Sequence, residues 1–421
     1  MFTYDDLKVA DPDAYKALMG EMRRQWEGVE LIASENYISP AVLEMMGTVF
    51  NNKYSEGYPG RRYYGGQEFT DIVETLAIER AKKLFRCEHA NVQLHAGCPA
   101  NIATYFALLE PGDTVLGMDL THGGHLSHGH PVTYMTKVFK FVRYKMKDVE
   151  TGELDYDLMR ETAKKEKPKI ILVGYSAYPR IPDFKMVQEI ASEVGAVTMA
   201  DMAHVAGLIA GEAHPNPFDD GFDIITTTTH KTLRGPRGGM ILCRKVELGK
   251  KIDKSVFPGL QGGPIMQMIA AKAVAFGEAL KPDFKDYARQ IVANSVHMAA
   301  FFMGKGVKLI TNGTDNHLML IDCIKSWNLP GKEVEALLDR IGITLNKNMI
   351  PDDPRGPVDP SGVRIGTPAV TTRGMKEKDV EQLAVFILRA IEKRSDETAL
   401  RKLHEDVKAF CRGFPVPGIA A

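Results

Sequence analysis

Residues 169–201, "KIILVGYSAYPRIPDFKMVQEIASEVGAVTMAD", carry the pattern that decides the fold. "KIILVGY" and "AVTMAD" are short apolar or β-branched runs, and "FKMVQEIASEVG" between them has helical spacing. A strand, a helix and a second strand in this order are typical of a parallel sheet that helices cover on both faces. We therefore expect an α/β fold, in which ligand groups collect at the carboxyl ends of the strands.

The same alternation extends to both sides of this stretch. "DTVLGM" before it, and "DIITTTT" and "GMILC" after it, predict further strands, and "DIVETLAIERAKKLF" predicts a helix. Near the C-terminus, "GVKLIT", "HLMLIDC" and "ITLNKN" predict strands of a smaller α/β domain. We predict an N-terminal arm over residues 1–60, a large domain over 61–280 and a small domain over 281–421.

Composition excludes several classes of function. A net charge of −1 provides no overall field for nucleic acid or an anionic membrane. The sequence contains no run of about 18 apolar residues, so we predict no transmembrane helix. The polar start "MFTYDDLKVADPDAYK" lacks the layout of a signal peptide. The five cysteines are scattered without disulfide or metal spacing, which favours free thiols in a reducing cytoplasm.

Lys231 directly follows the predicted strand "DIITTTT". Its neighbours His230, Arg234 and Arg237 disfavour the ammonium form, and a neutral lysine is a nucleophile suited to imine formation. Asp201 ends another predicted strand 30 positions earlier, which allows both residues to lie at one edge of the sheet. A lysine and a carboxylate are what a pyridoxal phosphate site requires, the carboxylate to keep the ring nitrogen protonated.

Other interpretations of these segments stay open at this stage. The lysine segment "KTLRGPRGG" is also compatible with a solvated basic loop or an RNA contact, and Asp201 with a capping group. The segment "THGGHLSHGH", residues 121–130, suggests a histidine metal site, or a histidine that stacks on a flat cofactor ring.

Four further segments offer binding groups. Ala96-Gly97-Cys98 opens a predicted helix, whose N-terminus suits a phosphate, and Gly262-Gly263 forms a second turn that allows close approach. A long polar and aromatic loop over residues 51–69 carries hydroxyl and carboxyl groups. Arg364 lies in a strand-like segment, where its guanidinium suits a substrate carboxylate or a structural ion pair.

Taken together, these segments resemble those of serine hydroxymethyltransferases, a family of fold-type I pyridoxal phosphate enzymes. The matching stretches follow the family's order over nearly the whole chain: "ELIASENYISP", "NKYSEGYPGRRYYGG", "LEPGDTVLGMDLTHGGHLSHG", "DMAHVAGLIA", "TTTTHKTLRGPRGG", "VFPGLQGGP", "TDNHL" and "SGVRIGTPA". The resemblance implies transfer of the hydroxymethyl carbon of serine to tetrahydrofolate by a homodimer or a tetramer. A threonine aldolase or transaldolase on the same scaffold, which needs no folate, is the alternative.

The resemblance also implies roles for individual residues. Lys231 would hold the cofactor as an aldimine, Asp201 would pair with the ring nitrogen, and His125 would stack on the ring. Implied catalytic residues are Lys231, Glu56, Tyr64 and His230. Implied cofactor-binding residues are Ala96, Gly97, Cys98, His125, Ser176, Asp201, His204, His230 and Lys231, with Tyr54, Gly262 and Gly263 reaching the phosphate from the partner subunit. Implied substrate-binding residues are Ser34, Glu56, Tyr64 and Arg364, implied folate-binding residues are Leu120, Gly124 and Asn348, and no metal is implied.

Two segments depart from the family's pattern. The phosphate turn commonly reads Ser-Gly-Ser, whereas this chain has Ala96-Gly97-Cys98. Two hydroxyl donors worth about 1 kcal/mol each are absent, which should weaken cofactor binding. Because the backbone N–H groups and His230 remain, we expect binding to survive. Near the folate, Gly356-Pro357-Val358 replaces a common Ser-Pro-Phe, which removes an aromatic wall from the pterin site.

Overall fold

The structure, a computed structural model, describes residues 3–419. Within that range the chain alternates helices with short strands. The α-helices are α1 Asp5–Ala10, α2 Pro12–Glu27, α3 Pro40–Met46, α4 Glu68–Phe85, α5 Gly97–Leu108, α6 Tyr156–Glu166, α7 Phe184–Val194, α8 Ala206–Ala210, α9 Val246–Lys254, α10 Met266–Ala279, α11 Pro282–Gly304, α12 Cys323–Trp327, α13 Gly331–Asp339, α14 Pro368–Thr372, α15 Glu377–Glu392 and α16 Glu397–Cys411. The strands are β1 Val29–Glu30, β2 Gly57–Tyr58, β3 Arg61–Arg62, β4 His89–Asn91, β5 Thr114–Met118, β6 Lys140–Tyr144, β7 Ile170–Val173, β8 Val197–Asp201, β9 Ile224–Thr228, β10 Gly239–Cys243, β11 Leu318–Asp322, β12 Ile343–Thr344, β13 Asn346–Asn348 and β14 Gly362–Gly366.

The chain divides into two compact units. Residues 41–289 form the larger unit, and the described residues up to 40 group with those from 290 onward. The N-terminal residues join the second unit because β1 pairs in parallel with β12. The domain boundaries expected at residues 60 and 280 stay a prediction.

The larger unit is built on a seven-stranded sheet in the order β4-β10-β9-β8-β7-β5-β6. Strands β9, β8, β7, β5 and β6 run parallel, and β10 is antiparallel to both of its neighbours. Strands β7 and β9 are buried along their whole length, as expected where helices cover both faces of a parallel sheet. The predicted α/β fold with a mostly parallel sheet is confirmed.

Helix α7 illustrates how the sequence builds the crossovers. The Asp183 side chain accepts a hydrogen bond from Met186 N at 2.9 Å and caps the first turn, and Gly195 ends the helix with a φ of 70°. Val187 and Ile190 are fully buried, which stabilises the crossover by about 1.5–3 kcal/mol each. The chain is thereby returned to the edge at which β8 begins.

The smaller unit holds a three-stranded antiparallel sheet in the order β11-β14-β13. Its core is a continuous apolar cluster that includes Val380, Leu383 and Ile387 of α15. The prediction of a strand at "GVKLIT" is wrong. Leu309 forms only an isolated bridge to Ile321, and residues 310–312 form a 3₁₀ turn with a positive φ at Thr311. Among residues 3–419, no helix combines the length and the apolar character that a membrane crossing requires.

Candidate functional site

The carboxyl ends of four adjacent strands of the larger unit each lead to a predicted site residue. Lys231 follows β9, Asp201 ends β8, Ser176 follows β7 and Leu120 follows β5. Close backbone packing holds these ends together, since a Cβ at Gly174 would lie 2.1 Å from the carbonyl oxygen of Asp201. The sheet therefore assembles at one edge residues that are distant in the sequence.

Asp201 lies at the centre of a buried hydrogen-bond network. Its Oδ2 accepts from His128 Nε2 at 2.9 Å and from Asn101 Nδ2 at 2.8 Å, and its Oδ1 accepts from Ala203 N at 3.1 Å. Burial by itself would raise the pKa of Asp201, but the hydrogen bonds from His128 and Asn101 act against it, and the pKa lies well below its usual range. The carboxylate is therefore ionised at neutral pH.

The network continues toward the predicted ring-stacking histidine. Asn101 also donates to Ser127 Oγ at 2.8 Å and accepts from Thr226 Oγ1 at 2.6 Å. Ser127 Oγ in turn lies 2.7 Å from His125 Nδ1. The sequence analysis did not identify His128 and Asn101 as partners of Asp201. His128 lies in the histidine-rich segment 121–130, but the spacing of the four histidines there does not distinguish one from another.

Among the described residues, His125, His128 and Asp201 are brought close enough to be considered as metal ligands. Both ring nitrogens of His128 are already engaged, since Nε2 pairs with Asp201 and Nδ1 accepts from His125 N at 3.2 Å. A metal ion would have to displace these bonds. The arrangement favours a hydrogen-bonded carboxylate.

Lys231 and His230 lie where the β9 strand turns back toward β10. Burial, followed by the charges of Lys231 and Arg237, lowers the pKa of His230 to about 3, so its ring is neutral at physiological pH. The buried His230 Nδ1 has no hydrogen-bond partner within residues 3–419 and is available to a ligand. Thr232 Oγ1 donates to the carbonyl oxygen of His204 at 2.8 Å, which ties the lysine segment to the residues after β8.

The turn Ala96-Gly97-Cys98 opens α5 beside the ends of β9 and β10. Ala96 is the N-cap residue and provides no side-chain cap, so the first N–H groups of the helix are left to a ligand. A Cβ at Gly97 would lie 2.7 Å from Thr228 Cγ2, and one at Gly239 would lie 2.3 Å from the Ala96 carbonyl oxygen. Burial and the charge of Asp201 raise the pKa of the Cys98 thiol, so it is neutral. This compact turn fits a phosphate group.

A second group of predicted residues gathers around the loop that follows α3. The rings of Tyr54 and Tyr64 meet edge to face at 5.6 Å, and the charge of Glu56 raises the pKa of Tyr54. A Cβ at Gly263 would lie 3.2 Å from Tyr54 Cζ, and one at Gly262 would lie 3.9 Å from Glu56 Oε1. The structure thus brings the loop and the second glycine turn together within one chain.

Arg62 holds this loop in place. Its Nη2 pairs with the buried Glu74 at 2.5 Å, and its Nη1 donates to the carbonyl oxygens of Ser55 and Gly57 at 2.9 and 3.0 Å. These carbonyls flank Glu56, so the loop's backbone is anchored on both sides of the predicted acid/base group.

The smaller unit contains the remaining predicted residues. Arg364 lies in the central strand β14 opposite Asn346, to whose Oδ1 its Nε donates at 3.1 Å, and burial lowers its pKa to about 10 without removing its charge at neutral pH. Ser34 directly follows Ala33, whose Cα would lie 2.4 Å from a Cβ at Gly366, also in β14. Asn348 ends β13, where it pairs with Gly362. Ser34, Asn348 and Arg364 therefore belong to the surroundings of one strand.

The sequence is similar to known proteins over nearly its whole length. Residues 7–387 match the family model described as "Serine hydroxymethyltransferase". The chain is also 55% identical over 413 residues to the curated "Serine hydroxymethyltransferase" of Acidobacterium capsulatum, an alignment that covers 98% of this chain and 96% of that relative.

Proposed function

Because the chain belongs to the serine hydroxymethyltransferase family, we propose that Lys231 and Asp201 are the centre of its active site. The enzyme reversibly transfers the hydroxymethyl carbon of serine to tetrahydrofolate, giving glycine and 5,10-methylene-tetrahydrofolate, with pyridoxal phosphate as its cofactor. The observation that carries the assignment is the buried, ionised Asp201 at the end of β8, next to the strand that leads to Lys231.

Asp201 and Lys231 would divide the work at the cofactor. Pyridoxal phosphate, when bound, supplies an electron-withdrawing ring that stabilises negative charge at the Cα of an amino acid. Lys231 Nζ would be the amine that bonds to it, while the carboxylate of Asp201 would keep a proton on the ring nitrogen. His125 would stack on the ring, and His204 and Ser176 would line it from neighbouring strand ends.

The phosphate would bind at the Ala96-Gly97-Cys98 turn, where the start of α5 offers backbone N–H groups and a favourable dipole. These donors would replace the two serine hydroxyls that the family commonly uses.

The resemblance to the family also supports roles for individual residues in substrate recognition. The Arg364 guanidinium, whose Nε is fixed by Asn346, would hold the substrate carboxylate, and Ser34 would assist it. The carboxylate of Glu56 would take or return the proton of the serine hydroxyl, with Tyr64 beside it. Leu120, Gly124 and Asn348 would contact the folate, with no aromatic side chain in the segment 356–358.

We propose that the enzyme acts as a homodimer or as a tetramer. Phe69, Ile72 and Leu76 are exposed at helical spacing on α4, close in sequence to the loop that carries Tyr54 and Glu56. An exposed apolar helix face of this kind supports burial against a second subunit. Tyr54, Gly262 and Gly263 would then reach the phosphate of the partner's site. All five cysteines are free, which supports a cytoplasmic location.

The folate requirement tests the function against the aldolase alternative. Purified protein loaded with pyridoxal phosphate should convert serine to glycine far faster with tetrahydrofolate than without it. Equal rates in both conditions would assign the enzyme to folate-independent aldol cleavage. Threonine-like substrates, which need no folate, provide the matched reaction on the same preparation.

A further inference from the structure

Lys272 of α10 is a fully buried cation that the site described above does not use. Its Nζ donates three hydrogen bonds, to the carbonyl oxygens of Val92 at 2.6 Å, Gly239 at 2.9 Å and Leu94 at 3.0 Å. An ammonium group has three donors, so its hydrogen-bonding capacity is completely satisfied.

An apolar side chain of similar length would fill this position without the desolvation cost of a buried charge. Burial lowers the pKa of Lys272 to about 7, although the negative charge of Glu74 acts in the opposite direction. All three acceptors belong to two chain segments, the residues that directly follow β4 and the start of β10. The Lys272 amine therefore holds these two segments together through its hydrogen bonds.

The backbone that Lys272 bonds to lies next to the Ala96-Gly97-Cys98 turn. Gly239 N donates to the Leu94 carbonyl oxygen at 2.9 Å, so the two segments are bonded to each other as well as to Lys272. Two residues after Leu94 comes Ala96, whose carbonyl oxygen would lie 2.3 Å from a Cβ at Gly239. One residue before Gly239, a Cβ at Gly238 would lie 2.5 Å from Lys272 Cε, so the lysine side chain packs closely against this backbone.

We propose that Lys272 is a positioning residue for the cofactor's phosphate, which sets the place of the Ala96-Gly97-Cys98 turn through Leu94 and Gly239. This inference rests on the proposed assignment of that turn to the phosphate. In its protonated form Lys272 also acts on the site through its charge, which contributes to lowering the pKa values of His95 and His230. Lys272 thus adds attraction for an anionic phosphate without touching it.

The test compares two ligands that differ only in the phosphate. Pyridoxal phosphate and pyridoxal are titrated into apoprotein, and the ratio of their dissociation constants is taken from the visible absorbance. Lys272→Met should reduce the preference for the phosphorylated ligand by about tenfold, because a displaced turn loses bonds to a charged group. Pyridoxal affinity should change little.

Three companion variants make the outcome specific. Val187→Ala removes buried volume in α7 and should lower thermal stability while leaving the ligand ratio unchanged. Lys272→Gln retains two N–H donors without the charge, so it should reduce the preference for the phosphorylated ligand less than Lys272→Met does. It replaces Lys272→Met in the test if that variant does not fold. Gly97→Ala disturbs the turn directly and should reduce the ratio.

The outcomes separate the two levels of the argument. If Gly97→Ala lowers the ratio while the Lys272 variants retain the wild-type ratio, the role of Lys272 is overturned and the phosphate turn stands. If neither position affects the ratio, the turn does not hold the phosphate, and both assignments fail. A reduced ratio at both positions, with Val187→Ala unchanged, supports the proposal.

Discussion

Replacing His128 by phenylalanine removes a donor from Asp201 while keeping a flat ring. Asp201 would retain the bonds from Asn101 and Ala203 but lose the one from His128 Nε2, which is 2.9 Å long. A hydrogen bond to a charged group contributes about 1.5–3 kcal/mol. At 1.36 kcal/mol per pKa unit, the pKa of Asp201 should rise by about 1–2 units.

Asp201 would still be ionised at neutral pH after this rise, because its pKa starts well below the usual range. Its carboxylate would, however, lose a bond that fixes its orientation toward the cofactor's ring nitrogen. We therefore expect kcat at saturating cofactor to fall by about tenfold to a hundredfold in His128→Phe. The assay is folate-dependent glycine formation from serine, with cofactor content and thermal stability measured on the same samples.

His130→Phe is the matched control. It lies in the same segment, but its Nδ1 accepts only a 3.3 Å bond from Val132 N. It should keep kcat within about twofold of the wild type, a difference of less than about 0.5 kcal/mol in the barrier. If His128→Phe behaves like His130→Phe, the buried network does not tune Asp201 and the reasoning is refuted.

Two further predictions concern His230 and Arg364. The pKa of His230 is lowered to about 3 in the folded protein, so between about pH 6.5 and pH 3 only the unfolded chain binds a proton there, and stability falls as the pH drops. His230→Asn has no such group. Between about pH 7 and pH 5 its unfolding free energy, measured by urea denaturation, should therefore decrease by about 2 kcal/mol less than that of the wild type. Equal decreases in the two proteins would contradict a neutral, buried His230 ring. Arg364→Lys should raise the KM for serine by about tenfold or more, because a lysine cannot make the two-bonded fork to a carboxylate. Arg355→Lys, at a partly exposed ion pair with Asp359, is the control, and equal KM values for the two variants would remove Arg364 from the substrate site.

Local patterns were sufficient for the elements that position the chemistry. Strands β7, β8 and β9 follow from continuous apolar or β-branched runs, and the ends of two of them lead to Asp201 and Lys231. Such strands are buried on both faces, so their composition alone marks them. "GVKLIT" has the same composition, but the left-handed backbone at Thr311 ends extended pairing, and no local pattern signals this.

Contacts between distant segments were beyond sequence reasoning. The pairing of Asp201 with His128 joins residues 73 positions apart and depends on how the loop after β5 folds over the sheet. Lys272 lies in "IAAKAVAF", where a single lysine in an apolar helix predicts a snorkelling surface residue. In the folded chain its side chain is buried, and its Nζ bonds to carbonyl oxygens of Val92, Leu94 and Gly239, which are at least 33 positions away.

The central claim is that Lys231 is the residue that binds the cofactor covalently. Borohydride reduction of the protein loaded with pyridoxal phosphate, followed by proteolysis and mass spectrometry, locates the lysine that carries it. The label should appear on the peptide containing Lys231, and Lys231→Ala should leave no labelled peptide. A label on Lys272 or any other lysine of the wild-type protein would contradict the assignment.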